Sequence, residues 1–403
     1  MEEFKVYPYR WIILSVFMIV VAANQVMWIT FAPITIVAAD FYQVSDLMIG
    51  LLSMIFMIVY IVVSIPASRI IDTYGIRTGV GIGVVLTGIF GIFRGIFASD
   101  YNMVLVAQVG LAVAQPFLLN AITSLSARWF PIRERATASG LGTLAMYVGI
   151  AAGMTVTPLL TEHSGIQRML VIYGVFSLVA LLLFFVLMRE RPPTAPCRPD
   201  QEERSLVWDG FRQIFRKPGF LLLMAIFFIG LGIFNSVTTW IEDILRPRGF
   251  SVTQAGMTGG AMILGGIIGA LVMPILSDRF RRRVPFIIAA LAGTVIGLAG
   301  VTFATGYGLV LAAAFAMGFF LLSAGPIGFQ YGAEITFPTL EGTSNGLLLL
   351  MGQISGIAFI VLMDVMKSPA TGSMTMPLAG LIGLMIVCVA ASFWLKEPEI
   401  LSK

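Results

Sequence analysis
The amino-acid sequence predicts an all-α polytopic membrane protein, with twelve transmembrane helices in two pseudo-symmetric six-helix halves. Three observations carry that expectation. Of 403 residues, 58% are hydrophobic and 11% charged, with a mean hydropathy of +0.95. A soluble globule carries about 45–50% apolar and about 25% charged residues, and could not cover its surface with so few charges. The chain also holds twelve apolar stretches long enough to cross a bilayer, which takes about 20 residues each. Finally, motifs of the first half recur in the second at a spacing of 206 or 207 residues.

The stretches fall near 11–39, 48–68, 78–98, 102–127, 135–160 and 168–188, then near 218–245, 254–276, 284–304, 308–332, 343–366 and 375–395. Glycine and proline inside them are tolerable because neighbouring helices re-satisfy the freed backbone groups. The start, MEEFKVYPYR, lacks a small-residue cleavage site, so Trp11 onward is expected to be a retained helix rather than a signal peptide. The longest polar run lies between Arg189 and Lys217, and its prolines and charges cannot pack in lipid. The domains expected are therefore 1–190 and 218–403, each a six-helix half, joined by a linker at 191–217. Cys197 and Cys388 provide neither a disulfide framework nor zinc spacing, so no metal or cofactor is expected.

The charges sort by side. The loops shared with the termini and the linker hold twenty Lys and Arg; the opposite loops hold Arg168, Arg246, Arg248 and Lys367, and Arg94 lies near a helix end. Basic residues collect on the cytoplasmic side, which puts both termini and the linker there and requires an even number of spans. In a membrane protein the net charge of +4 reads as this anchoring excess, not as nucleic-acid binding. The absence of Asn-x-Ser/Thr sequons favours a bacterial source, hence the inner membrane.

The repeat pairs Asp72-Thr-Tyr-Gly-Ile-Arg77 with Asp278-Arg279-Phe-Arg-Arg, and Trp129-Phe-Pro-Ile-Arg-Glu134 with Thr336-Phe-Pro-Thr-Leu-Glu341. Internal repetition on this scale in a polytopic protein marks a two-halved transporter. These loops resemble degenerate copies of the Asp-Arg-x-Gly-Arg/Lys signature of the major facilitator superfamily, and the resemblance runs through essentially the whole chain. It implies one central cavity that opens alternately to each side. Asp72, Arg77, Asp278 and Arg279 are candidate latch residues, since an aspartate there can meet helix termini and pair with arginine. The alternative is that the basic residues merely set topology. Glu334 can gate, titrate or cap a cytoplasmic helix end.

Intramembrane polar side chains are functional candidates by default. They are Asn24, Gln25 and Trp28 in the first span; Gln108, Gln115 and Asn120 in the fourth; Tyr147 in the fifth; Asn235 and Trp240 in the seventh; Gln330 and Tyr331 in the tenth; and Gln353 in the eleventh. Any one of them can equally be helix–helix glue. Trp28 maps onto Asn235 across the repeat, so the pair is expected to face across a pseudo-twofold axis. No carboxylate sits at the centre of a span, and the fourth span has Gln108 where antiporters of the superfamily carry an arginine. That favours facilitated diffusion, or coupling that needs no central carboxylate. A cavity of aromatic and amide groups suits a weakly hydrated organic cation, held on ring faces at about 0.5–2 kcal/mol per contact.

A narrower resemblance follows from Asn24-Gln-Val-Met-Trp28, Ala114-Gln-Pro-Phe-Leu-Leu-Asn120, Gly232-Ile-Phe-Asn-Ser-Val-Thr-Thr239, and Phe329-Gln-Tyr-Gly-Ala-Glu through Gly352-Gln353. These segments resemble the feline leukemia virus subgroup C receptor family, whose animal members are linked to choline and ethanolamine uptake and to heme export. The resemblance implies that Trp28 is the cage tryptophan and that Gln353 meets the substrate hydroxyl. Asn235 stands where that family has a cage tyrosine, and Tyr147 where it has a glutamine. Asn24, Gln115, Asn120 and Trp240 complete the expected lining. The only histidine, His163, lies in a loop and offers no imidazole to a heme within a cavity. The expected activity is secondary transport or uniport of a choline-like amine by a monomer. An amphipathic or anionic metabolite, heme included, is the second reading, and a non-transporting receptor the third. No catalytic constellation at membrane depth suggests an enzyme.

Overall fold
The computed structural model describes residues 6–194, 215, 217–336 and 341–398, and among these every regular element is a helix. In chain order they are α1 (Tyr9–Ile29), α2 (Thr35–Tyr42), α3 (Asp46–Tyr74), α4 (Ile76–Ile96), α5 (Tyr101–Leu119), α6 (Ala121–Trp129) and α7 (Ile132–Leu187). Then follow α8 (Pro218–Thr239), α9 (Ile241–Leu245), α10 (Val252–Phe280), α11 (Val284–Phe303), α12 (Tyr307–Thr336), α13 (Glu341–Val365) and α14 (Thr375–Ser392).

If straight, the 56 residues of α7 would reach about 84 Å, nearly three hydrocarbon cores of about 30 Å. The helix breaks at Gly165, whose φ of 79° and ψ of 166° lie in a region that essentially only glycine visits. Its two arms are the fifth and sixth expected spans. Eleven long apolar segments, one of them holding two helices, therefore supply twelve crossings among the described residues.

The first expected span is not a single helix. It stops at Ile29, passes through a 3-10 turn at Ala32–Ile34 and resumes as α2. Pro33 explains the break, because it lacks an N–H and disfavours helical geometry at the residue before it. The seventh expected span also divides, at Trp240, which leaves Glu242 and Asp243 on the short α9 beyond the crossing. The expected 191–217 linker, with Cys197, lies mostly outside the described residues, as do residues 337–340 of the repeated Phe-Pro motif.

The chain divides into two compact units. One is Met1–Phe31, Val37–Val44 and Leu51–Arg204; the other is Ala32–Ile36, Ser45–Gly50 and Ser205–Lys403. In lipid, burying apolar surface between helices gives little drive, so packing depends on small residues that let backbones approach. In the first unit, a Cβ on Gly149 of α7 would stand 2.5 Å from the Ala22 carbonyl oxygen of α1. In the second, α10 and α12 interlock more tightly. A Cβ on Gly318 would lie 1.7 Å from the Met262 carbonyl oxygen, and one on Gly269 would lie 1.8 Å from that of Phe319. Gly265 and Gly269, spaced as a small-xxx-small pair, form half of this crossing. Val62, Val186, Ile296 and Val365 turn their side chains outward, as lipid-facing residues do.

Candidate functional site
The break after α1 shapes the site in the first unit. A helix end leaves its last carbonyls unpaired, and here side chains fill them: the Thr30 hydroxyl donates to Val26 O at 2.7 Å, and Arg94 Nη1 donates to Met27 O at 3.1 Å. Between them Trp28 is buried to 6% exposure, its indole N–H donated to Ser53 O of α3 at 3.2 Å. Asn24, one turn earlier, is fully buried and donates to Thr87 Oγ1 and Leu111 O, tying α1 to α4 and α5. Asn120, at the α5–α6 junction, accepts from Tyr60 at 2.8 Å and donates to Ser64 and Ser68 of α3. Both amides hold helices together through their NH2 groups, while Asn24 Oδ1 is buried without a partner among the described residues. Gln115 and the half-buried Tyr147 make no side-chain hydrogen bond among the described residues, so their polar groups remain uncommitted.

In the second unit, Asn235 Nδ2 donates to Gly352 O at 3.1 Å, which sets it beside Gln353. Gln353 is half-buried, with no hydrogen bond of its own among the described residues. Trp240 is wholly buried; its N–H goes to Ile360 O at 3.0 Å and its ring packs on Gly50, where a Cβ would stand 2.8 Å away. Two carboxylates of α9 are also fully buried. Glu242 accepts from the Ile36 amide in the first turn of α2 at 2.8 Å, as a helix N-terminus favours, and pairs with Arg246. Asp243 accepts from Lys367 Nζ at 2.6 Å, and the same ammonium also bonds Asp46. Burial pushes the Asp243 carboxyl up to about 7 against the pull of Lys367. Burial lowers the Lys367 ammonium, but Asp243 and Asp46 outweigh it and leave it raised.

The repeated loops are built differently from the sequence expectation. Asp72, Arg77 and Arg279 expose their side chains, which make no ion pair among the described residues. The carboxylates that cap helices are Glu190 and Glu397, 207 residues apart. Glu190 accepts from the amides of Ile76 and Arg77 at 3.0 and 2.6 Å and pairs with Arg128 at 2.5 Å. Glu397 accepts from the amides of Arg283 and Val284 at 3.0 and 3.1 Å. Gly75 leaves the room Glu190 needs, since a Cβ there would lie 2.3 Å from Oε1. Asp278 does pair with an arginine, Arg283, which also holds Glu334 at 3.0 Å; Gln330 donates to the same carboxylate at 2.9 Å. Burial lowers Arg283, but hydrogen bonds and charge from Glu334 and Asp278 leave it raised.

Sequence reasoning missed three elements. Glu190 and Glu397 could have been found by extending the 207-residue offset to the ends of the halves. The Asp46–Lys367–Asp243 cluster joins residues distant in sequence and leaves no local trace. Arg94, read as a helix-end charge, is fully buried in α4 beside Gln108, with no carboxylate in reach among the described residues. The available signal was that Arg94 is the single charged residue in the apolar run from Thr78 to Ile96.

A family model described as Major Facilitator Superfamily matches residues 14–360. Curated relatives include Solute carrier family 49 member A3 of Xenopus tropicalis, 30% identical over 91% of this chain and 80% of that one. The Choline/ethanolamine transporter FLVCR2 of Homo sapiens is 27% identical over 89% of this chain and 72% of its own. The fold is also similar to a crystal structure of a bacterial homolog to the human lysosomal transporter Spinster, inward-facing and unoccupied. That match has a TM-score of 0.77 at 17% identity, over 96% of this chain and 97% of that one.

Proposed function
This chain belongs to the major facilitator superfamily of membrane transporters, and we propose that it carries a small choline-like amine cation as a secondary transporter or uniporter. One observation carries the choice of cargo. The Trp28 N–H is already spent on Ser53 O, so what the indole still offers a substrate is its π face. A π face attracts quaternary and primary ammonium groups through the ring quadrupole. Gln353, with its amide uncommitted beside Asn235, supplies the group for an attached hydroxyl; Gln115 and Tyr147 supply further polar contacts. The names of the FLVCR relatives, choline/ethanolamine transporters, support the same cargo. Transport proceeds by alternating access of the two halves, 1–190 and 218–403. The protein is a monomer in a bacterial inner membrane with both termini cytoplasmic, in keeping with its Lys/Arg asymmetry.

The test is uptake of radiolabelled choline into proteoliposomes. Saturable uptake by the wild type, abolished in Trp28→Ala, is expected. Equal uptake by wild type and variant removes the cage role, and a wild type that takes up no choline removes the cargo.

A further inference from the structure
A charge buried at membrane depth is costly and is retained where it serves a function. Arg94, in the last turn of the spanning helix α4, is such a costly group: fully buried, with no carboxylate partner among the described residues. Its guanidinium is surrounded by neutral acceptors. Nη1 donates to Met27 O at 3.1 Å and to Gln108 Oε1 at 2.9 Å; Nη2 reaches Met27 Sδ at 2.8 Å and Thr30 Oγ1 at 3.3 Å. The Phe31 ring lies 5.7 Å from Cζ. Every one of these groups flanks Trp28 or leads back to it.

The hydrogen bonds close into a circuit. Arg94 holds the carbonyl of Met27, the residue before Trp28, at the open end of α1. Arg94 also holds Gln108 by its oxygen, which turns the Gln108 amide so that Nε2 donates to Leu52 O at 2.9 Å. The next carbonyl along α3, that of Ser53, accepts the Trp28 indole N–H. The tryptophan is thus fixed at its backbone by one arm of the circuit and at its ring nitrogen by the other. We propose that Arg94, acting with Gln108, is a positioning residue that sets the orientation of the Trp28 indole for substrate; this rests on the reading of Trp28 as the substrate-binding aromatic. The arginine suits the task because a planar fork meets two acceptors at fixed angles, which a lysine ammonium on a flexible stem does not.

The circuit also accounts for the missing counter-ion. A carboxylate would draw the guanidinium into a bidentate pair and release Met27 O, leaving a helix-end carbonyl unpaired beside the site. Neutral acceptors share the Nη donors instead, while Nε–H is buried without a partner among the described residues.

The experiment compares Arg94→Met, Arg94→Lys and Gln108→Met with the wild type, each also in a Trp28→Phe background. Subtracting the Trp28→Phe spectrum isolates the emission and acrylamide quenching of Trp28 without any ligand. Binding of choline to purified, monodisperse protein is measured in parallel, with transport KM and Vmax. Expected are a red-shifted and more quenchable Trp28 in Arg94→Met and Gln108→Met, and a smaller change in Arg94→Lys. Choline affinity falls about tenfold, the scale expected when a desolvated cation–ring interaction is weakened, and the effect appears in KM with little change in Vmax. If Arg94→Met does not yield folded protein, Gln108→Met and Arg94→Lys carry the same test. Unchanged Trp28 emission and quenching in these variants overturns the proposal, whatever happens to stability or affinity. A Trp28 shift in a protein whose wild type binds no choline upholds the positioning role and removes only the amine cargo.

Discussion
Replacing Lys367 by methionine isolates a buried electrostatic cluster in the second unit. Lys367 bonds Asp46, whose side chain is 29% exposed, and Asp243, whose side chain is fully buried. Removing the ammonium leaves Asp243 the choice of remaining an unpaired buried anion or taking up a proton. Its carboxyl already sits at about 7 with the lysine present, and losing the lysine raises it further. Neutralisation at pH 7 therefore costs little, which caps the penalty below the 3–5 kcal/mol typical of a broken buried pair. What remains is the hydrogen bonding to charged partners, about 1.5–3 kcal/mol for the Asp243 bond and less for the screened Asp46 bond. A net loss of about 2 kcal/mol is expected, or about 4–8 °C in apparent Tm for a unit of this size. Thermal unfolding of detergent-purified Lys367→Met, Asp243→Asn and the double variant reads this out. The double variant should recover most of the loss, because neutral replacements of a buried pair are close to isoenergetic with it. A double variant no more stable than Lys367→Met overturns this account, since Asp243 would then not be the group left uncompensated.

Three further outcomes are expected. The Asp243 carboxyl is raised from 3.8 to about 7 on folding, so its contribution to stability is complete below the lower value and lost as pH rises through the upper one. Wild-type thermal stability should therefore fall relative to Asp243→Asn between pH 5 and pH 8, and a difference independent of pH would count against it. At the α10–α12 crossing, Gly318→Val forces its Cβ onto the Met262 carbonyl and should abolish monodisperse expression. Gly140→Ala, with nothing within 4 Å of its new methyl, should be neutral or slightly stabilising, as judged by size-exclusion profiles and Tm.

Much of the fold was legible because hydropathy is a local property and the bilayer imposes a length. The twelve expected stretches reappear, and the departures occur where proline or glycine interrupts the backbone: Pro33 after α1 and Gly165 within α7. The candidate site was legible only in part. The residue types at membrane depth pointed to Trp28, Asn235 and Gln353, but composition cannot distinguish an amide that binds from one that staples. Asn24 and Asn120 have their amide hydrogens engaged by helices 52 to 87 residues away in sequence, whereas Gln115 and Gln353 keep theirs. The helix caps of the repeated loops were not legible for a similar reason. An aspartate near a helix end was the visible candidate, yet the helix amides are met by Glu190 and Glu397 from the ends of the sixth and twelfth spans.

Sequence alone dictates a two-halved membrane protein with few charges at depth, because lipid admits only long apolar helices and a duplicated pattern leaves a fixed offset. What the exceptional polar groups do is settled by packing. Arg94 stands at a helix end, as its place in the sequence implies, but is also a buried hub, and Asp243, on the short α9, is enclosed with Lys367. The cause is common to both. Whether a polar side chain is free or committed depends on the donors and acceptors that distant helices bring within about 3 Å of it, and that proximity is a property of packing rather than of sequence spacing.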